Sequence, residues 1–144
     1  MKRTLVIGYG NTLRGDDGAG IMAAERAAGR FPGVDIVTVH ELQPELAETM
    51  SHYAEVIFLD AAVEGSCVRT IAVEPAPDPR PDGSHSHSPG VLLALCRNLY
   101  GHVPDRSLLI AIPGRTFEFG EKLSCFTEEM VEQALEEVGH FLTS

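Results

Sequence analysis

"TLVIGYGNTLRGDDGAG", residues 4–20, decides how the rest of the chain is read. Its first five residues are apolar or β-favouring and run straight into a glycine-rich loop. That is the pattern of a buried strand ending in a tight turn before a helix. Gly8, Gly10 and Gly18 suit such a turn, because glycine reaches positive φ without a steric cost. Asn11 tolerates the same conformation and can bond its own loop backbone. Glycine loops after a first strand usually cradle phosphate, yet this one fits neither common cradle. Leu13 stands where the dinucleotide fingerprint needs its third glycine, and Gly15-Asp16-Asp17 stands where a P-loop ends in Gly-Lys-Ser/Thr. One aspartate could cap the next helix. Two adjacent carboxylates at a phosphate's usual place call for another explanation.

Residues 34–39 (VDIVTV), 56–60 (VIFLD) and 108–112 (LLIAI) read as further strands. With residues 4–8, three of the four are near-continuous apolar runs, as expected where helices cover both faces of a parallel sheet. Residues 67–73 (CVRTIAV) alternate and suit an edge strand, antiparallel to its neighbour. Helical patterns fill the gaps. Residues 18–30 place Ile21, Ala24, Ala28 and then Phe31 on one side, residues 44–52 carry Leu46 and Met50, and residues 89–100 start at a proline. In the last helix Thr127 can act as cap, Glu128 and Glu129 suit the positive end, and Met130, Val131, Ala134, Leu135, Val138, Phe141 and Leu142 form one stripe. Strands alternating with helices predict a single α/β domain over residues 1–144: a three-layer α/β/α sandwich on a mostly parallel, twisted sheet of about five strands.

Bulk composition narrows the function. A chain of 144 residues buries about 68–70% of its unfolded surface and supports one core. The formal net charge of −10, with only 11 scattered Lys and Arg, argues against a nucleic-acid partner. Cys67, Cys96 and Cys125 form no CxxC pair, which excludes the usual zinc and redox spacings and suits a reducing compartment. The apolar run at the N-terminus is too short for a signal peptide, and none is long enough for a membrane span. A cytoplasmic protein without a membrane partner is expected.

Two more places could carry chemistry. Asp60 ends the strand in "VIFLDAA", at the edge where open α/β sheets bind ligands and where the first loop also opens. His85 and His87 lie in "EPAPDPRPDGSHSHSPG", residues 74–90, a long Pro- and Ser-rich loop before a helix. Taken together, carboxylates and an imidazole from converging loops make a site for a divalent transition metal. Negative charge at the first loop would then attract rather than repel.

These residues closely resemble the [NiFe]-hydrogenase maturation endopeptidases. The motif of that family, G-x-G-N-x-L-x-x-D-D/E-x-x-G, is matched at every position by "GYGNTLRGDDGAG" from Gly8 to Gly20. The strand ending in D-A is matched at Asp60, the loop histidine by "SHSHSPGVLLAL", and the G-x-x-L-S segment by "FEFGEKLS", residues 117–124. The resemblance implies a nickel-dependent, aspartic-type or metal-assisted endopeptidase that removes the C-terminal extension of a hydrogenase large-subunit precursor. The nickel would arrive with the precursor. The implied metal contacts are Asp17, Asp60 and a histidine: spacing to the Pro and leucine run favours His85, and counting to Gly90 favours His87. Asp17 and Asp60 would be catalytic, with Asp16 a general base or orienting group. A non-catalytic, nickel-sensing assembly chaperone for the same large subunit is the alternative. A nucleotide-binding module is disfavoured by the missing third glycine and lysine.

Overall fold

The computed structural model describes residues 3–77 and 87–144. Five strands, β1 (Thr4–Tyr9), β2 (Val34–Val39), β3 (Glu55–Ala62), β4 (Arg69–Ala72) and β5 (Arg106–Pro113), form one sheet in the order β2-β1-β3-β5-β4. β1 pairs in parallel with β2 and β3, and β3 with β5, while β4 runs antiparallel on the edge, as its alternating sequence predicts. The central strands β1 and β3 are buried on both faces. That is why they read as continuous apolar runs.

Helices α1 (Ala19–Arg30) and α4 (Cys125–Thr143) cover one face, and α2 (Leu46–Met50) and α3 (Pro89–Leu95) cover the other. The result is the expected α/β/α sandwich. Alternate residues of each strand feed the two layers: Val6, Ile57 and Leu59 pack with α1 and α4, while Leu5, Ile7, Val56 and Phe58 pack with α2 and α3. The helix beginning at Pro89 continues to Tyr100 as a π turn and stops at Gly101, which has φ of 70°. No helix among the described residues is long and apolar enough to cross a membrane.

Two helical expectations need correction. α1 does not use the Ile21/Ala28 side: Ala19, Gly20, Ala23, Ala24 and Ala27 are buried, and Ala28 is exposed. The smallest side chains face the sheet because the helix lies almost on it. A Cβ at Gly20 would come 2.2 Å from the Leu59 carbonyl oxygen and 2.8 Å from that of Tyr9. Both obstacles are backbone, so they cannot swing aside. Gly20→Ala is therefore expected to cost about 2–3 kcal/mol by overpacking, read as a lower urea midpoint at unchanged slope.

α4 begins three residues earlier than Thr127 predicts. Ser124 is its cap, in extended conformation with φ of −68° and ψ of 160°, and its Oγ accepts from the Thr127 N–H at 3.3 Å. Thr127 itself is fully buried inside the first turn, and Cys125 is exposed. Both residue types can cap. Ser124 wins because its hydroxyl also has a partner elsewhere, described below.

Candidate functional site

From β1 the chain crosses to β2 on one side, while β3 lies on the other, so the C-terminal ends of β1 and β3 border a topological switch point. In open α/β sheets the crevice outside the carboxyl ends of the strands at such a point is where ligands bind. The loop after β1 folds back into that crevice by way of Gly10, whose φ is 142° and whose place admits no Cβ, since one would sit 2.2 Å from the Asp17 carbonyl oxygen. Asn11 braces the turn as expected, its Oδ1 accepting from the Leu13 N–H at 2.9 Å. A 3-10 turn, Gly15–Gly18, then carries the two aspartates, and neither of them caps α1.

The two neighbours have opposite surroundings. Asp17 is half-buried, and its Oδ2 accepts from the Asn11 N–H at 2.7 Å. Asp16 is fully buried and turned towards the loop between β5 and α4. Its Oδ2 accepts from the N–H groups of Arg115 at 2.8 Å and Thr116 at 2.9 Å and from the Ser124 hydroxyl at 2.7 Å, while Oδ1 accepts from the Ser124 N–H at 2.7 Å. Backbone bonds from Asp16 N–H to the Thr116 carbonyl and from Gly15 N–H to the Gly120 carbonyl, each 2.7 Å, complete the seam. Burial pushes this carboxyl up, but the Arg115, Ser124 and Thr116 donors outweigh it and hold the pKa down to about 2. A carboxylate so fully engaged is no proton carrier near neutral pH. Asp16 is the bolt that fastens the Asp17 loop to the rest of the fold.

Asp60 lies near the end of β3, on the side of the strand that carries Val56 and Phe58. Tyr9, at the end of β1, packs on that same side, and its hydroxyl is a hydrogen-bond partner of the Asp60 carboxylate. Burial raises the Asp60 pKa to about 6; the Asp17 charge adds to the rise, and bonds from Tyr9 and the Ala61 N–H temper it. Burial and the Asp60 charge raise the Tyr9 phenol well above its ordinary range. Tyr9 thus stays protonated and donates. Two carboxylates, Asp17 from the turn after β1 and Asp60 from β3, near enough for one to perturb the other, form an oxygen-donor pair suited to a divalent cation.

The histidines are placed less completely. His85 lies outside the described residues, and His87 is half-buried, one residue before Ser88, which caps α3. Among the described residues no three of His, Cys, Asp and Glu are grouped to hold a metal ion, so His87 is not assembled with Asp17 and Asp60. A cavity of about 370 Å³ lined by Leu93, Val103, Ser107 and Phe141 lies at the start of β5, the opposite edge of the sheet from the carboxylates. Tyr9 and Ser124 are the participants that sequence reasoning did not single out. Tyr9 stood in plain view between the two motif glycines, and Ser124 ends the G-x-x-L-S segment.

No protein-family model and no curated protein matches the sequence. Solved structures do match. The hydrogenase maturating endopeptidase HybD from E. coli is 25% identical, covers 94% of this chain and 89% of its own, and superposes with a TM-score of 0.72. The hydrogenase 2 maturation peptidase from a Thaumarchaeota archaeon is 25% identical over 98% of each chain, with a TM-score of 0.71. The [NiFe] hydrogenase maturation protease HybD from Thermococcus kodakarensis, at 20% identity, shares the fold over 96% of this chain and 98% of its own, with a TM-score of 0.72. The fold of this chain is thus similar, over nearly its whole length, to that of solved hydrogenase maturation endopeptidases.

Proposed function

We propose that this protein is an endopeptidase of hydrogenase maturation that removes the C-terminal extension of a nickel-loaded [NiFe]-hydrogenase large-subunit precursor. The observation that carries the reading is the convergence of Asp17 and Asp60 at the switch point of a sheet that superposes on HybD over nearly its whole length. The nickel belongs to the precursor. Asp17 and Asp60 engage it from the protease side as oxygen ligands, and the imidazole of His85 or His87 is the nitrogen donor that suits nickel. The chain's own contribution is to hold two ionisable oxygens at a fixed spacing in a half-buried crevice, where their charge acts more strongly than in water. Asp16 serves the site by fixing the loop, not by carrying a proton.

The test is incubation with nickel-loaded precursor, followed by mass measurement of the large subunit. Loss of the C-terminal peptide is the expected result, and Asp17→Asn is expected to abolish it within the assay time. Tight binding of the precursor without peptide release would instead identify a nickel-sensing chaperone. Full cleavage by Asp17→Asn would remove Asp17 from the site.

A further inference from the structure

We propose that Tyr9 is the positioning residue of the site, holding the Asp60 carboxylate in one orientation so that an oxygen stays aimed at the crevice. This deepens the function proposed above and rests on it for its consequence, but not for its geometry. β1 and β3 are adjacent and parallel, with Gly8 opposite Leu59, so the next residues along, Tyr9 and Asp60, emerge side by side. Both point to the α2/α3 side, where Tyr9 and its β2 register partner Val39 pack against the core that holds Leu5 and Ile7. A ring anchored in this way sets its hydroxyl at a fixed point. The Asp60 carboxylate accepts from the Tyr9 hydroxyl and from the Ala61 N–H, and the Asp17 charge acts on the same carboxylate. Two donors therefore restrain a side chain that its neighbour Asp17 repels. Without the phenol, that repulsion would let Asp60 turn away from Asp17. Partners behind a ligating group commonly govern its usefulness by tenfold or more.

Tyr9→Phe keeps the ring and removes only the hydroxyl, so the fold is expected to survive. The first measurement is the pair of Hα–Hβ couplings of Asp60 in the free protein by nuclear magnetic resonance. One large and one small coupling, a single χ1 rotamer, are expected in the unaltered chain, and averaged couplings in Tyr9→Phe. The second is steady-state cleavage of nickel-loaded precursor, where kcat is expected to fall about tenfold with KM within about twofold. Unchanged couplings would overturn the proposal, and so would averaged couplings with unchanged kcat. Averaged couplings in a chain that never cleaves the precursor would support the positioning role and defeat the endopeptidase reading instead.

Discussion

Asp16→Ala is expected to destabilise the protein by about 2–4 kcal/mol, because it takes a charged acceptor away from four neutral donors. The side chain is wholly buried, and its removal strands three backbone N–H groups, those of Arg115, Thr116 and Ser124, and leaves the Ser124 hydroxyl only Thr127 Oγ1 as acceptor. Each buried donor left without an acceptor costs about 1–3 kcal/mol, and water entering the gap recovers part of that. The same carboxylate gives a pH signature. Its pKa falls from an ordinary 3.8 in the unfolded chain to about 2 in the fold, so the ionised form is the one the fold prefers. The contribution, about 2 kcal/mol, is complete above the unfolded value and drains away as pH falls from about 4 towards 2. Urea melts of the unaltered chain and Asp16→Ala should therefore differ widely at pH 7 and draw together near pH 2. A constant difference at both pH values would assign the loss to packing rather than to the carboxylate. Because the bolt also fixes the Asp17 loop, Asp16→Asn should lower cleavage more than it lowers stability near neutral pH.

The sheet was legible because its strands are short apolar runs of a kind that only a doubly covered parallel sheet requires. The edge strand was legible for the opposite reason, since 67–73 alternates. What misled was contact geometry that periodicity does not encode. The sheet-facing side of α1 is its alanine and glycine side, which a search for large apolar residues passes over, and the true cap of α4 is decided by a bond from Ser124 to Asp16, 108 residues away in sequence. The site followed the same rule. The glycine loop and both aspartates are visible as a motif, but two adjacent carboxylates look alike on paper. Only the fold separates them, turning Asp16 into a seam of donors and leaving Asp17 in the crevice with Asp60. Tyr9 escaped notice because nothing in the residues between Gly8 and Gly10 says which strand will lie beside them.

Asp60→Asn is expected to abolish function and stabilise the fold at once. For cleavage, losing a charged, positioned group at the reacting centre should cost about 10²–10⁴-fold in kcat. For stability the sign is opposite to that of Asp16. Burial, with Asp17 adding to it, raises the Asp60 pKa from 3.8 to about 6, so the fold prefers the protonated form. Its stability contribution is fully present below about 3.8 and is lost as pH rises through 6, leaving an ionised carboxylate that costs about 1–3 kcal/mol at pH 7 after allowance for its partial exposure. Asparagine matches the shape and accepts the same bonds from Tyr9 and Ala61 without the charge. The variant should unfold at higher urea than the unaltered chain at pH 7.5, and the advantage should vanish by pH 3.5. A group that only held the fold together would behave like Asp16, whose loss is expected to weaken the protein. A carboxylate kept ionised at the fold's expense, beside a second one that makes matters worse, is the arrangement of a site awaiting positive charge. If Asp60→Asn proves less stable at neutral pH, or retains cleavage, Asp60 is a structural residue.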